Sequence, residues 1–108
     1  MRFFGLKSCD TCRKALKSLR AAGIDPKVID VRADGLTDDD ITAIVNAFGA
    51  AVINKASTTW RNLNEDEKAN DPSDLLRDHP TLMKRPVIED DGWTMGWKAD
   101  VQATHLGT

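Results

Sequence analysis

Both cysteines of the 108-residue chain lie in one short stretch near its start, "CDTC" from Cys9 to Cys12, followed at once by Arg13. This C-x-x-C spacing suits a metal clip, a disulfide staple or a reactive thiol. A structural zinc needs four ligands, and the chain's two histidines fit no common zinc-finger spacing. A disulfide across so short a loop stabilises little. Two inert cysteines on a buried helix face are a further alternative, but the reactive thiol has the clearest mechanism.

The surroundings of Cys9 favour its ionised form. The thiolate is the nucleophile, and an ordinary thiol is mostly protonated at neutral pH. We expect Cys9 at the N-terminus of the first helix, where backbone N–H groups and the helix dipole favour negative charge. Lys7 and Arg13 add positive charge, which Asp10 partly opposes. We therefore predict a lowered pKa for Cys9, with Cys12, one turn deeper, as the resolving thiol.

The elements that must position these cysteines follow from the apolar pattern. We predict a strand over residues 1–5, an amphipathic helix over residues 10–22 that ends at Gly23, and a second strand that begins at Pro26. The candidate core residues of that second strand are Val28, Ile29 and Val31.

The middle of the chain, residues 37–80, is predicted to be mainly helical. Thr37 is a good N-cap for one helix, and Asn64 with Glu67 begins a shorter one. Residues 50–63 lie between these helices and are predicted to be irregular.

The last third of the chain predicts a hairpin and a closing helix. Val87 and Ile88 form one strand, Asp91-Gly92 the turn, and residues 93–95 the returning strand. The element order is therefore β-α-β, a helical segment, then β-β-α. The first two strands should be parallel with a right-handed crossover, and the hairpin should add antiparallel strands. We infer an α/β fold with a thioredoxin-like mixed sheet, forming a single domain over residues 1–108 with a helical insertion at about residues 37–80.

Arg85-Pro86 lies just before the hairpin. In thioredoxin-like folds this position is commonly a cis-proline that faces the cysteine site. The alternative is an ordinary proline at the start of a strand.

The composition indicates an ordinary globular protein. Charged residues make up 30 % of the chain and the formal net charge is −2, which does not suggest a nucleic-acid or membrane surface. There is no long apolar run and no secretory signal. We expect a cytoplasmic monomer whose cysteines are mainly thiols and which holds no metal or resident cofactor.

Five segments occur in an order that is similar to one known family: "CDTCRKAL", "DVRADGL", "TTWRNL", "HPTLMKRPVI" and a late "GW". They resemble the glutaredoxin-type arsenate reductase family, which includes the Spx regulators, and in particular its YffB-like branch of proposed glutathione-dependent reductases. The resemblance implies that Cys9 is the nucleophile, that Arg13 is the arginine four residues after it, that Arg85 contacts the oxyanion, and that Pro86 is a cis-proline.

The chain also departs from the arsenate reductases. Those enzymes carry another arginine in the segment that matches "VINKAST", where this chain has Lys55, and Lys98 is the nearest cation where a further arginine would lie. A lysine supplies charge without the two-pronged geometry of an arginine. Cys12 departs as well, because it matches the C-x-x-C of the Spx regulators.

We therefore predict a thiol-disulfide oxidoreductase of arsenate reductase-like type, with glutathione as co-substrate. Its substrate would be a glutathione mixed disulfide or a small oxyanion, and glutaredoxin is a candidate partner. The alternative is an Spx-like redox sensor that binds RNA polymerase. Our candidate catalytic residues are Cys9, Cys12, Arg13 and Arg85, and our candidates for substrate binding are Lys7, Thr11, Lys55, Trp60 and Pro86.

Overall fold

The structure, a computed structural model, describes residues 1–107. In chain order its strands and α-helices are β1 (Arg2–Gly5), α1 (Asp10–Ala21), β2 (Lys27–Asp30), α2 (Asp38–Phe48), α3 (Thr58–Arg61), α4 (Glu65–Lys68), α5 (Pro72–Asp78), β3 (Val87–Glu89), β4 (Trp93–Met95) and α6 (Ala99–Leu106). The predicted order β-α-β, helices, β-β-α is confirmed.

The chain forms two compact units. The first contains Met1–Asp30 and the chain from Arg85 onward, so it holds all four strands together with α1 and α6. The second, Val31–Lys84, takes in the helical segment predicted for residues 37–80.

The first unit is built on one mixed sheet with the strand order β2-β1-β3-β4. β1 pairs in parallel with β2 and antiparallel with β3, so that Phe3 lies between Val28 and Ile88. β3 pairs antiparallel with β4. This arrangement confirms the predicted thioredoxin-like mixed sheet, with a parallel β-α-β pair and an antiparallel hairpin.

Helix α1 covers the centre of this sheet. Its spacing of apolar residues places Cys12, Ala15 and Leu19 on one face, and these pack with Phe3 and Ile88 in a fully buried cluster. The hydrophobic face of α1 therefore fixes the position of the C-x-x-C segment.

The prediction that Val28 belongs to the core was wrong. Val28 is 37 % exposed, because β2 lies at the edge of the sheet and is paired on one side, with β1. Ile29 is half-buried, and Val31 is buried, but it follows the end of β2.

The hairpin turns at Asp91-Gly92, as predicted. Asp91 has a left-handed φ of 58°, a conformation that Asp and Asn adopt more readily than most residues. The Asp90 N–H donates to the Gly92 carbonyl at 2.9 Å, which closes the turn.

The second unit is a cluster of capped helices. The Thr37 hydroxyl accepts the Asp40 N–H at 3.1 Å at the start of α2, and Asn64 and Glu67 form a reciprocal capping box at the start of α4. Helices α2 and α5 pack together. The buried apolar side chains of this unit include Ile41, Ile44, Val52, Leu75, Leu76 and Leu82.

The prediction that residues 50–63 are irregular was wrong in part. A 3₁₀ turn spans Gly49–Val52, and α3 spans Thr58–Arg61. The Ser57 hydroxyl accepts the Trp60 N–H at 3.1 Å, which makes Ser57 the N-cap of α3. This short helix is set by a local cap rather than by an apolar periodicity, so the hydrophobic pattern did not reveal it.

Among residues 1–107, no helix combines the length and the apolar character that crossing a membrane requires.

Candidate functional site

Cys9 is the N-cap residue of α1, where the sequence predicted it. Its backbone N–H donates to the Leu6 carbonyl at 3.1 Å, and its carbonyl accepts the Arg13 N–H at 3.0 Å as the first hydrogen bond of the helix. The side chain is half-buried and packs against the cluster formed by β1, β3 and α1. The thiol therefore lies beside the unpaired N–H groups at the start of the helix, which favour an anion.

The pKa of Cys9 is lowered from the ordinary value of a thiol. Partial burial is the largest single influence and opposes ionisation, but several donors outweigh it. The Cys12 backbone N–H and the Cys12 thiol both donate to the Cys9 sulfur, and Arg85 adds a hydrogen bond and a positive charge. The direction agrees with the sequence-based prediction, but the cation that lowers the pKa is Arg85, whereas the sequence pointed to Lys7 and Arg13.

Cys12 has the opposite character. Its side chain is 1 % exposed, and burial raises its pKa to about 12, helped by the hydrogen bond with Cys9 and the charge of Cys9. A backbone hydrogen bond from Leu6 and the charge of Arg85 act in the opposite direction. At neutral pH the pair therefore consists of an ionisable outer thiol and a protonated inner thiol that donates to it. Both cysteines are free thiols in the structure.

Gly5, the last residue of β1, makes room for Cys12. A Cβ at position 5 would lie 2.8 Å from the Cys12 sulfur and 2.9 Å from Cε1 of Phe3, closer than atoms can pack without displacement. From the sequence, Gly5 was expected only to end the strand. The available signal was a glycine four residues before the first cysteine of the C-x-x-C.

The Arg85–Pro86 peptide bond is cis, in agreement with the prediction. Pro86 is buried, and its carbonyl accepts the Gly96 N–H at 2.8 Å, which ties this loop to the residue that follows β4. The sheet thus holds Arg85 at the start of β3, where its guanidinium reaches the Cys9 sulfur.

Arg13 and Lys7 lie elsewhere in the first unit. Arg13 is mostly exposed and pairs with Asp10, its neighbour one turn earlier. Both cations line a mainly apolar cavity together with Val28 and Asp30. The Lys7 N–H is also 3.4 Å from Oδ2 of Asp30. A catalytic role for Arg13 stays a prediction.

The other proposed substrate ligands divide between the two units. Thr11 is exposed on the first turn of α1, next to the cysteines. Lys55 and Trp60 belong to the second unit, where the Lys55 Nζ lies 5.5 Å from the centre of the Trp60 ring. Their role in binding the substrate of Cys9 stays a prediction.

Within residues 1–107, the acidic, histidine and cysteine side chains form no group of three or more that could hold a metal ion. The two thiols, which differ sharply in pKa, are the candidate reactive groups of this site.

The fold and this site define a class of protein. A C-x-x-C at the N-terminus of the helix after β1, opposite a cis-proline before an antiparallel strand of the same sheet, is the arrangement of thioredoxin-like thiol proteins.

The family follows from comparison with known proteins. The ArsC family model matches residues 4–103, and the chain therefore belongs to the ArsC family.

Relatives in this family carry several names. An uncharacterised protein of Haemophilus influenzae is 45 % identical over 94 residues, which cover 82 % of each chain. A protein of Staphylococcus epidermidis named global transcriptional regulator Spx is 32 % identical over 94 residues, covering 82 % of this chain and 72 % of that protein.

Comparison with solved structures supports the same family. The YFFB protein superposes with a TM-score of 0.88 at 32 % identity and covers 96 % of each chain. An arsenate reductase (ArsC) related protein of Brucella melitensis gives a TM-score of 0.74 at 29 % identity and covers 100 % of this chain and 97 % of that one. The resemblance to the arsenate reductase and Spx family, with its YffB-like branch, is confirmed.

Proposed function

We propose that this chain is a glutathione-dependent thiol-disulfide oxidoreductase of arsenate reductase-like type, with Cys9 as its nucleophile. The observation that carries the proposal is the lowered pKa of Cys9 at the N-terminus of α1, produced by donors from Cys12 and Arg85. In this proposal the protein is cytoplasmic and monomeric, and glutathione is a co-substrate rather than a resident cofactor.

The first step is disulfide exchange. The Cys9 thiolate attacks one sulfur of a glutathione mixed disulfide, a new sulfur–sulfur bond forms on Cys9, and the other thiol leaves with the electron pair of the broken bond. Arg85 and the N–H groups at the start of α1 stabilise the thiolate before attack, which increases the fraction of protein that can react at neutral pH.

In the dithiol route of this proposal, Cys12 resolves the adduct. Once Cys9 is joined to glutathione it carries no charge, so the hydrogen bond and the charge that raise the pKa of Cys12 are lost. Cys12 then attacks the Cys9 sulfur, and its proton goes to the departing glutathione thiolate. The products are a Cys9–Cys12 disulfide and glutathione. In the monothiol route a second glutathione attacks the glutathione sulfur of the adduct, which gives glutathione disulfide and restores the Cys9 thiolate.

A small oxyanion such as arsenate is the second proposed substrate. Here the Cys9 thiolate displaces water from arsenic, and attack by glutathione on the Cys9 sulfur leaves the electron pair of the arsenic–sulfur bond on arsenic as arsenite. Arg85 would stabilise the negative charge of the adduct. The lysines at positions 55 and 98 offer charge without the bidentate geometry of arginine, so we expect arsenate turnover to be weaker than disulfide reduction.

Measuring the alkylation rate of each cysteine against pH tests the core of this proposal. We expect Cys9 to react with iodoacetamide below the pH at which an ordinary thiol ionises, and Cys12 to stay unreactive over the same range. A Cys9 that titrates like an ordinary thiol would refute the activated nucleophile.

Two matched variants then separate the routes. In an assay of mixed-disulfide reduction by glutathione, Cys9→Ser should abolish turnover. Cys12→Ser should preserve a monothiol route and stop a dithiol route. Full activity in Cys9→Ser would contradict the whole mechanism, and arsenate turnover with glutathione and glutaredoxin tests the oxyanion arm separately.

A second candidate function is an Spx-like regulator, in which oxidation of the cysteine pair changes binding to RNA polymerase. The contact between the Cys12 thiol and the Cys9 sulfur favours it, because the two sulfurs are close enough to couple chemically, and relatives named Spx share 32 % identity with this chain. Titrating the reduced and the oxidised protein against an RNA polymerase α-subunit domain is the test. Binding that depends on oxidation would support the regulator, and no binding in either state would exclude it.

A further inference from the structure

The helical unit Val31–Lys84 has a cavity of its own, with a volume of about 110 Å³. This volume is below the range for pockets that hold drug-sized molecules, so the cavity suits a compact ligand. Part of its wall is apolar and includes Ile53, Pro72 and Leu75, of which Ile53 and Leu75 are buried. Its polar lining residues are Lys55, Lys68 and Asn70.

Both ammonium groups lie against the same indole. The Nζ atoms of Lys55 and Lys68 are 5.5 and 5.7 Å from the centre of the Trp60 ring. Cation–π attraction at such partly exposed positions is modest, and two like charges near one ring repel each other. An anion in the cavity that both lysines line would relieve that repulsion.

The chain itself does not supply that anion. Within residues 1–107, no aspartate or glutamate lines the cavity, and neither Lys55 nor Lys68 forms an ion pair. Elsewhere in the unit, Arg77 contacts both Asp38 and Asp74. The cavity therefore presents two lysines without acidic partners.

Local caps hold these groups in place. The Asn54 side chain accepts the Ala56 N–H at 3.1 Å, which fixes the turn that carries Lys55. Ser57 caps the helix that carries Trp60, and the capping box of α4 fixes the short helix that ends at Lys68. Because these elements are tied down before any ligand arrives, binding has less conformational entropy to overcome.

A neighbouring open cavity extends the positive charge. It shares Ala50, Ile53 and Lys55 with the first cavity and adds Lys84 to its lining. Lys84 is held by its backbone N–H, which donates to the Val52 carbonyl at 2.8 Å. The two adjoining cavities together present three lysines.

We propose that this cavity is a binding site for a small organic dianion, a compact apolar or aromatic body that carries a phosphate or two carboxylates. The two ammonium groups match the two negative charges, and the indole with the aliphatic wall matches the body. The site uses no cysteine, so it goes beyond the thiol chemistry proposed for Cys9.

Phenyl phosphate and phthalate are suitable probes for the full-length protein. The readout is the indole N–H resonance of Trp60, assigned as the signal that disappears in Trp60→Phe. We expect a saturable shift of this resonance with at least one of the two probes. The shift should be lost in 1 M salt, where charges are screened within about 3 Å. Each of Lys55→Gln and Lys68→Gln should weaken binding about two- to fivefold, and the double variant should abolish it.

The controls test separately the lysine charges, the apolar part of the ligand and the location of the site. Lys17→Gln makes the same charge change on the exposed face of α1 and should leave the affinity unchanged. Inorganic phosphate and benzyl alcohol should each bind much more weakly than phenyl phosphate. Equal affinity for either of them, no shift with both organic dianions, or full binding by the double variant would overturn the proposal. Cys9→Ser should bind the probe normally, so the result is independent of the thiol mechanism.

Discussion

Removing the charge of Arg85 should raise the pKa of Cys9 and change the shape of its alkylation profile. Arg85 acts on the Cys9 sulfur through a hydrogen bond and through its charge. A hydrogen bond to a charged group contributes about 1.5–3 kcal/mol. Because Cys9 is half-buried, we take the lower end, and about 1.4 kcal/mol corresponds to a tenfold change in an ionisation equilibrium. Arg85→Met should therefore reduce the thiolate fraction about tenfold at a pH below the midpoint.

The rate of alkylation should change less than the thiolate fraction does. A more basic thiolate is also a better nucleophile, with a Brønsted coefficient of about 0.4–0.5. At low pH the Arg85→Met variant should thus react about three- to fourfold more slowly, whereas at high pH its plateau should be about threefold higher. The profiles of the two proteins should cross, which a general loss of accessibility would not produce.

Iodoacetamide kinetics read out by mass spectrometry of the Cys9 peptide would measure both profiles. Arg20→Met is the matched control, because Arg20 is an exposed arginine of the same unit whose partner is Asp25. Its profile should match that of the parent protein. An unchanged midpoint in Arg85→Met, or an equal shift of the midpoint in Arg20→Met, would refute a specific effect of Arg85 on the ionisation of Cys9.

Three further outcomes follow from the packing and the titration of unit one. Gly5→Ala should destabilise the protein by about 1–3 kcal/mol in urea unfolding, because the added methyl group meets the Cys12 sulfur at 2.8 Å. Combining it with Cys12→Ala should recover part of that loss. Simple additivity of the two changes in unfolding free energy would disprove the contact. Stability should fall as the pH rises from about 9 towards 12, because Cys12 ionises in the unfolded chain first, and Cys12→Ala should flatten this slope in pH-dependent urea titrations. Stability should also fall as the pH drops below about 6.5. Burial lowers the pKa of His105 in the folded protein, against a weaker opposing effect of Asp90, so the unfolded chain takes up the proton first. Unchanged acid sensitivity in His105→Gln would contradict this.

Local signals in the sequence predicted most of the first unit. The C-x-x-C, the glycine after α1 and the Asp-Gly turn each act within a few residues, so the order of strands and helices could be inferred without tertiary information. The exposure of Val28 could not be inferred in this way. It depends on whether β2 lies at the centre or at the edge of the sheet, which no local pattern specifies.

The contacts of charged side chains were harder to predict than the helices and strands. Arg13 was expected to act on Cys9 because it is near in sequence, but one helical turn brings it to Asp10 instead. Arg85 reaches Cys9 only because β3 pairs with β1, and the family resemblance, not spacing, pointed to it. In the same way, the approach of Lys68 to Trp60 depends on how short capped helices pack, and no sequence motif predicted it.

The discontinuity of the first unit has a consequence during protein synthesis. Strands β1 and β2 and helix α1 are made early, but β3 and Arg85 follow only after the whole of Val31–Lys84 has been translated. Domains fold as units while the ribosome adds about 5–20 residues per second. A nascent chain therefore carries Cys9 for several seconds without the arginine that lowers its pKa. The order of synthesis thus delays the lowered pKa of Cys9 until β3 can join the sheet.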